Sequence, residues 1–371
     1  MAPMRATLAL STLCENPRRR TGLSTLFREF VAHARRLHPD VSWLVFCGPG
    51  DAWEGGDPGV EVCRAFPSNE RPAARLLADH LGVAAAARRR GAAALVTVGF
   101  CPVLTAGLPV IMQVFAAGDR GTVGTVRSLY RNWAVARGLS RAALVITNSS
   151  WAKAALGPGA APVIVSPEGL RHDLFRPEGP RGASAVAGRY FLWASNLYPY
   201  KRVELALAAY AGLAPARRSE FPLVVVGGDW HGCRARAQAE AERLGIRGSV
   251  YFLGWVEDEE LPSLYRGALA HILSTAHETF GRSVLESMAC GCPCVVQDLE
   301  VLREVAGECA LFVDFADTRA ATAAMERVCA DEALRARLGA AGAERSLQFS
   351  FERLARERMG AILDRLGLGA P

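Results

Sequence analysis

The sequence predicts an α/β protein of two Rossmann-like, doubly wound domains, and two observations carry that prediction. Short runs rich in Val, Ile, Leu and Phe alternate with helix-length amphipathic stretches along almost the whole chain. The runs are nearly continuous in apolar residues rather than alternating, as expected for parallel strands covered by helices on both faces. A length of 371 residues also suits two domains better than one.

Ten apolar runs are predicted as strands, five on either side of a segment rich in Gly, Pro and Ala. They are residues 6–13, 42–47, 94–98, 109–115, 144–147, 190–194, 223–226, 250–253, 270–273 and 293–296. The intervening segment, 176–189, lacks apolar periodicity and is predicted as a linker. The predicted domains are residues 1–175 and 176–350. Residues 351–371 are expected to supply a last amphipathic helix that packs back towards the first domain.

The charge of the chain is uneven. Residues 1–175 carry 20 Arg or Lys against 12 Asp or Glu, whereas the remainder carries 23 against 25. Solvated helix faces or loops are the default explanation of the arginine triplets at 18–20 and 88–90. A phosphorylated substrate or an acidic membrane surface is the alternative. No basic stripe interleaved with aromatic residues occurs, so nucleic acid is not an expected partner.

Cysteine usage and missing motifs restrict the function further. Ten irregularly spaced cysteines without an export signal predict reduced thiols and a cytoplasmic protein. Cys290, Cys292 and Cys294 resemble a metal clip, but they span a helix end and a strand start, where packing thiols are expected. The G-x-G-x-x-G, Walker A and Asp-x-Asp patterns are absent from the sequence. Neither a nicotinamide cofactor nor a resident metal is therefore expected.

The most informative segment is HETFGRSVLESMACG, residues 277–291, which follows a predicted strand. Glu278 is expected in the loop after the strand, and Glu286 in the first turns of a helix that begins near Arg282. Both carboxylates can accept hydrogen bonds from the hydroxyls of a ribose and a sugar. Alternatively, Ser283 and Glu286 form a capping box and Glu278 is a solvated loop residue.

The start of that helix is a second candidate feature. The backbone N–H groups of Gly281, Arg282 and Ser283 are expected to point out of the helix N-terminus, where they can bind a phosphate.

The segment SNLYPYKR, residues 195–202, follows the first strand of the second half. Pro199 is suited to the first turn of a helix, which puts Lys201 and Arg202 at the positive end of its dipole. A bound diphosphate would compensate both cations, and Glu204 is the local alternative. In the first half, Gly22 follows the first strand and permits close approach of a ligand, although a plain turn explains it equally.

At this point the residues resemble a known family. HETFGRSVLESMACGCPCVV is similar to the E-x7-E segment of retaining glycosyltransferases of the GT-B fold, family four. YFLWASNLYPYKRVELAL and LGWVEDEELPSLYRGA resemble that family's phosphate-binding and donor-site stretches. The resemblance implies two domains that face a central cleft, with the acceptor on the first and a nucleotide sugar on the second. The nucleotide sugar is then a substrate, and no cofactor is implied.

The resemblance also implies roles for single residues. Glu286 would hold the ribose, and Glu278 would contact hydroxyls of the transferred sugar. Lys201 would neutralise the diphosphate, with Arg202 as a helper. The backbone amides of Gly281, Arg282 and Ser283 would bind the distal phosphate. The backbone of Val256 would contact the base. Gly22 would lie beside the diphosphate and the acceptor.

Two positions depart from the family pattern. Asn196 stands where the family usually has Arg, so one cation on the leaving group is missing. Arg202 or the loop with arginines 18–20 is the expected substitute. Gln113 stands near the end of a strand where many members have His. Gln113 can hydrogen-bond the donor sugar, but it cannot perform acid–base chemistry.

The resemblance implies retaining, metal-independent transfer of a hexose from GDP-mannose or a UDP-hexose to a glycan, a glycolipid or a small acceptor. Lys201 and Glu278 are the expected catalytic residues. Two alternatives stay open. One is a non-hydrolysing nucleotide-sugar epimerase, and the other is a nucleotide-binding member that has lost transfer activity. The cytoplasm, including the inner face of the membrane, is the expected location.

Overall fold

The computed structural model describes residues 6–15, 22–51, 53, 58–98, 107–115, 126–157, 159, 161–183, 186 and 188–369. The arginine triplet at 18–20 lies outside these residues. The chain forms two compact units. Unit 1 comprises Met1–Gly169 and Phe351–Pro371, and unit 2 comprises Leu170–Ser350.

Unit 1 contains a seven-stranded parallel sheet with the order β3-β2-β1-β4-β5-β6-β7. Chain order proceeds outwards from β1 to β3 and then, on the other side, from β4 to β7, so the sheet is doubly wound. The strands are β1 (Ala6–Ser11), β2 (Val41–Phe46), β3 (Val60–Cys63), β4 (Ala94–Val98), β5 (Val110–Gln113), β6 (Leu144–Thr147) and β7 (Val163–Val165).

Helices cover this sheet and complete its core. They are α1 (Gly22–Leu37), α2 (Pro72–Leu77), α3 (Val83–Arg89), α4 (Val126–Arg141), α5 (Ser150–Leu156) and α14 (Phe351–Arg365), with a π-turn, Ala78–Gly82, between α2 and α3. Helix α14 packs on α1. Its apolar face carries Phe351, Leu354, Met359 and Ile362, which are buried with residues of β1 and β2 in one cluster.

Unit 2 contains a six-stranded parallel sheet with the order β10-β9-β8-β11-β12-β13, again doubly wound. The strands are β8 (Tyr190–Ala194), β9 (Leu223–Val226), β10 (Val250–Gly254), β11 (Ala268–Leu273), β12 (Cys294–Gln297) and β13 (Ala310–Val313). The helices are α6 (Val203–Ala211), α7 (Pro215–Glu220), α8 (Cys233–Arg243), α9 (Leu261–Gly267), α10 (Arg282–Ala289), α11 (Glu300–Ala306), α12 (Thr318–Ala330) and α13 (Glu332–Ser346).

The α/β class and the doubly wound topology predicted from the sequence are confirmed. Three strands were not among those predicted, namely β3, β7 and β13, and each lies at a sheet edge. They contain three or four residues each, and β3 includes the exposed Glu61. An edge strand has one unpaired side and less burial, so it lacks the continuous apolar run that marks a central strand.

The boundary between the units differs from the predicted one. The units divide between Gly169 and Leu170, whereas the sequence suggested a division after residue 175. The predicted linker, 176–189, therefore belongs to unit 2. Arg266 holds it there, because its guanidinium donates hydrogen bonds to the carbonyls of Pro180 (2.7 Å) and Arg176 (3.1 Å). Within the described ranges, no helix is both long and apolar enough to cross a bilayer.

Candidate functional site

The candidate site lies at the topological switch point of the unit 2 sheet. Strands β8 and β11 are neighbours there, and the chain order moves away from them in opposite directions. Doubly wound sheets bind ligands at this point, just beyond the carboxyl ends of the strands. Lys201 follows β8, and Glu278 follows β11, so two distant sequence motifs meet in one place.

Hydrogen bonds tie the loops after β8 and β11 together. The Ser274 hydroxyl donates to the Arg202 carbonyl at 2.8 Å, and the Ala276 amide donates to the Tyr200 carbonyl at 2.7 Å. The Arg202 guanidinium donates back to the Thr275 carbonyl at 3.1 Å. These bonds fix the backbone on which Lys201 and Glu278 stand.

Lys201 and Glu278 form an ion pair with each other. The Lys201 ammonium donates to Oε1 of Glu278, and each side chain is only 11% exposed. An ammonium has three N–H donors and a carboxylate has two acceptor oxygens. Each group thus keeps hydrogen-bonding capacity beyond this pair, in a partly desolvated place where charge interactions are stronger than in water.

The helix expected to begin at Pro199 begins later. Pro199–Lys201 forms a single 3₁₀ turn, and Arg202 follows in the left-handed conformation with φ 47°. Helix α6 then begins at Val203 with Arg202 as its N-cap. Both cations still precede the positive end of a helix, but the left-handed Arg202 turns the chain between Lys201 and α6.

Helix α10 begins at Arg282, as predicted. Its N-cap is Gly281, with φ 100°, a conformation that a residue with a Cβ rarely adopts. An added Cβ there would lie 2.4 Å from Cδ2 of Leu302. In the described chain no side chain caps this end, so the alternative of a Ser283 capping box is wrong. A short helix end without a side-chain cap suits an anion.

Glu286 is held inside unit 2 by two donors. Nε of Arg282 donates to Oε1 at 3.0 Å, and the Tyr265 hydroxyl donates to Oε2 at 3.2 Å. The residue is 8% exposed. Burial raises the pKa of Glu286, and the nearby Arg282 guanidinium opposes that rise. The sequence did not identify Tyr265, because it lies 21 positions away on another helix.

Asn196, five residues before Lys201, contacts the loop after β9. Its Oδ1 accepts a hydrogen bond from the Gly228 amide at 3.1 Å. A Cβ at Gly228 would lie 3.2 Å from that oxygen and 3.4 Å from the ring of Trp255, which is 50% exposed. Val256, the residue predicted to read the base, is half-buried against the core.

An aromatic stack beside Lys201 was not predicted. Tyr198 lies between Tyr200 and Trp230, with ring centroids 5.4 and 5.2 Å away and both pairs within 15° of parallel. Tyr200 is 44% exposed, and the Lys201 ammonium lies 5.5 Å from its ring centroid. The alternation Tyr-Pro-Tyr could have suggested two rings on one face, but the contribution of Trp230 depends on the loop after β9.

In unit 1, the structure corrects the prediction for Gln113. Its side chain is fully buried at the end of β5, and its Oε1 accepts a 2.7 Å hydrogen bond from Arg358 of α14. Gln113 is thus held in the core and unexposed, and its buried Nε2 has no hydrogen-bond partner among the described residues. Arg358 also donates to the hydroxyl and carbonyl of Ser166. Burial lowers the pKa of Arg358 to about 10.

Two further predictions concern Gly22 and the clustered cysteines. Gly22 is the first residue of α1, directly after residues that the structure does not describe. Cys290, Cys292 and Cys294 are buried free thiols, as expected for packing residues. Burial raises the pKa of Cys290 to about 12 and that of Cys292 to about 11.

Comparisons with known proteins agree with the two-unit architecture. The chain matches sucrose-phosphate synthase of Thermosynechococcus elongatus with a TM-score of 0.81 and 20% identity, over 98% of this chain and 99% of that one. It matches Anabaena Alr3699/HepE, crystallised with UDP and glucose, with a TM-score of 0.74 and 18% identity, over 96% and 99%. The fold is therefore the two-domain α/β fold of GT-B glycosyltransferases.

Sequence comparisons with curated relatives each cover part of the chain. The O-antigen chain mannosyltransferase B of Escherichia coli is 31% identical over 173 residues, which are 46% of this chain and 45% of that one. A D-inositol 3-phosphate glycosyltransferase of Acidothermus cellulolyticus is 31% identical over 224 residues. The match covers 56% of this chain and 50% of that one. The matches thus span about half the length of these relatives. The model of the family "Glycosyl transferases group 1" matches residues 181–345. Unit 2, which holds the candidate site, is therefore similar in sequence to the glycosyl transferases of group 1.

Proposed function

We propose that the chain is a retaining hexosyltransferase. It takes a hexose from a nucleotide-diphosphate sugar, GDP-mannose or a UDP-hexose, and joins it to a hydroxyl of a glycan, glycolipid or small-molecule acceptor. The observation that carries the proposal is the Lys201–Glu278 ion pair at the switch point of the unit 2 sheet. The named activities of the relatives, mannosyl and glycosyl transfer, support the same reaction class.

Lys201 acts on the leaving group in this proposal. One ammonium N–H is used by Glu278, which leaves two for oxygens of the diphosphate. As the bond to the sugar breaks, negative charge grows on the diphosphate, and Lys201 and the amino end of α10 stabilise it. Glu278 orients Lys201 through the ion pair, and the second carboxylate oxygen of Glu278 accepts a hydrogen bond from a hydroxyl of the sugar.

Other residues of unit 2 hold the nucleotide. Glu286 accepts hydrogen bonds from the ribose hydroxyls, and Arg282 and Tyr265 keep its carboxylate in place. The backbone at Val256 contacts the base. A phosphate oxygen of the donor takes the proton of the acceptor, without a protein nucleophile. The sequence lacks the Asp-x-Asp pair that often holds a divalent metal on such donors, so a metal-independent reaction is proposed.

Unit 1 is proposed to bind the acceptor. The basic excess of residues 1–175 suits a phosphorylated or lipid-linked acceptor, or contact with an acidic membrane surface. Gly22 and the loop before it are the proposed approach to the diphosphate. The nine cysteines within the described residues are free thiols, which supports a reducing compartment such as the cytoplasm.

Release of nucleoside diphosphate tests this function. The purified chain is incubated with GDP-mannose or a UDP-hexose, candidate acceptors and a chelator, and free GDP or UDP is measured. Lys201→Ala is expected to lose at least about 100-fold in turnover because a charge that stabilises the leaving group is removed. Lys153→Ala is the matched control, since Lys153 is the other lysine of the chain and lies exposed on α5. Normal turnover in Lys201→Ala would contradict the assignment.

A nucleotide-binding member without transfer activity is the second candidate. Two observations favour it, namely that Asn196 is bound to the backbone of Gly228 and that Gln113 is buried against Arg358. Such a protein would bind GDP or UDP in a calorimetric titration, and Lys201→Ala would weaken that binding. It would release no nucleoside diphosphate with any acceptor. An epimerase would convert the donor without an acceptor.

A further inference from the structure

A cavity of about 270 Å³ lies in unit 2, away from the candidate site. Its wall includes Arg189 just before β8, Ala268 at the start of β11, and Pro293 just before β12. These residues mark the amino-terminal edge of the sheet. Lys201 and Glu278 follow the carboxyl ends of β8 and β11, so the two places lie at opposite edges of the same sheet.

Four arginines line this cavity, and Glu332 is the one carboxylate among the lining residues. The arginines are Arg181, Arg189, Arg266 and Arg335. Within the part of the chain that the structure describes, none of them forms an ion pair within 4.0 Å of a carboxylate. The formal charge of the lining is therefore +3. Arg181, Arg189 and Glu332 are exposed, so solvent and solutes reach the cavity.

Neutral groups hold two of the guanidinium groups in place. Arg266 donates to the linker carbonyls of Arg176 and Pro180, and Nη1 of Arg335 donates to the carbonyls of Val328 and Cys329 at 2.6 and 3.0 Å. Backbone carbonyls orient a guanidinium but do not cancel its charge. The positive charge at the cavity is thus fixed in position and not neutralised.

Nothing else in the wall supplies the missing negative charge. Cys290 and Cys292 also line the cavity, but their raised pKa values leave both thiols neutral at pH 7. Composition does not explain the cluster either. Residues 170–350 contain 20 Arg or Lys and 23 Asp or Glu. The four arginines, for which the described residues provide no ion-pair carboxylate, therefore gather in a unit that is negative overall.

We propose that this cavity binds the phosphate group of a small phosphorylated ligand, at a site separate from the donor site. Guanidinium groups match phosphate through paired N–H donors, and a phosphate dianion or a diphosphate offsets a charge of +3 better than a monoanion does. The cavity opens at the carboxyl end of α10, beside Gly291, where a helix dipole disfavours anions. The arginines must therefore provide the attraction.

Calorimetric titration with inorganic phosphate and pyrophosphate, at an ionic strength held constant with NaCl, tests this proposal. Lys201→Ala protein is used because the donor site is also expected to bind these anions. In that protein, Arg181→Gln with Arg189→Gln is expected to weaken binding about tenfold or more, through loss of two charge-assisted contacts. Arg319→Gln with Arg327→Gln removes the same charge from the exposed face of α12, outside the cavity, and should leave the affinity unchanged.

Glu332→Gln gives a change of opposite sign. Removal of the carboxylate raises the formal charge of the lining to +4, and we expect about two- to fivefold tighter binding of pyrophosphate. The proposal fails if Lys201→Ala protein binds neither anion, or if the Arg181/Arg189 variant binds as tightly as the Arg319/Arg327 control. It does not depend on glycosyl transfer, since the readout is anion binding and Lys201→Ala weakens binding at the donor site.

Discussion

At the scale of single residues, the candidate site consists of charges that are already partnered. Glu278 occupies one donor of Lys201, and Arg282 with Tyr265 occupies both oxygens of Glu286. A ligand that enters must share these partners and does not meet bare charges. The partners therefore set the protonation and the direction of the groups that are proposed to contact the ligand.

Tyr265→Phe should weaken nucleotide binding through Glu286. The hydroxyl that donates to Glu286 helps to keep the carboxylate ionised, so its loss raises the pKa of Glu286 further. We expect about five- to tenfold weaker GDP or UDP binding at neutral pH, recovering as pH rises, and about 1–2 kcal/mol lower stability. Calorimetric titrations between pH 6 and 9 measure this, with the exposed Tyr251→Phe as the control. A pH profile identical to the wild type would contradict this role.

His271 should make unit 2 sensitive to acid. Burial lowers the pKa of His271 to about 3, whereas an unfolded histidine has a value near 6.5. Between these values the unfolded chain takes up a proton that the folded chain does not, so stability falls as pH falls below about 6.5. Wild-type protein should lose about 2–3 kcal/mol of its free energy of unfolding through His271 between pH 6.5 and 4.5, and His271→Leu is expected to abolish that loss. Urea denaturation at several pH values measures the free energy of unfolding, with His38→Leu as the comparison. The prediction is wrong if His271→Leu loses as much stability below pH 6.5 as the wild type does.

At the scale of elements, the proposed docking of a diphosphate depends on the amino end of one helix, α10. Gly281 lets the chain turn tightly into α10 while Leu302 packs against it. The backbone amides of the first turn then stand at the edge of the sheet where Lys201 lies. Gly281 is thus required by the fold and also shapes the proposed binding site.

Gly281→Ala should damage both stability and nucleotide affinity. The substitution forces a Cβ into a left-handed conformation and against Leu302, which costs about 1–3 kcal/mol. Any relaxation shifts the first turn of α10, so we expect about tenfold weaker GDP or UDP binding. Gly360→Ala in α14 is the control, because an added Cβ there meets nothing within 4 Å and helix propensity predicts a gain of about 0.5–1 kcal/mol. Wild-type affinity in Gly281→Ala would contradict the model of the site.

The sequence predicted the central elements well because burial and chemistry leave direct marks there. Strand β8 is a continuous apolar run, β11 is interrupted only by His271, and the helix start after Glu278 is marked by Gly281 and Arg282. What it could not predict depends on distant contacts. The Arg202 bond to the Thr275 carbonyl, the Tyr265 bond to Glu286 and the burial of Gln113 against Arg358 all join segments far apart in the chain. No local pattern encodes such pairs.

At the scale of the whole molecule, unit 1 is assembled from two separate chain segments. Helix α14 follows all of unit 2 in sequence, yet it packs on α1 and closes the core under the first sheet. Arg358 anchors it from within through Gln113 and Ser166.

Removal of residues 351–371 should unfold unit 1 and spare unit 2. Helix α14 buries Phe351, Leu354, Met359, Ile362 and Leu363. At about 2 kcal/mol each, their loss approaches the whole stability of an average domain, about 5–15 kcal/mol. Limited proteolysis with mass spectrometry should show rapid cleavage within residues 6–169 and persistence of 170–350. Deletion of 367–371 alone is the control, and a protease-resistant unit 1 in the longer deletion would contradict the expectation.

The split origin of unit 1 has a consequence for synthesis of the protein on the ribosome. Unit 2 is complete once residue 350 has been translated, whereas unit 1 must wait for the final helix, although most of it was made first. During that interval the apolar surface that α14 later covers stays open to water and to other nascent chains. The half of the molecule made first is therefore the half finished last, and it is the half in which chaperone dependence should concentrate.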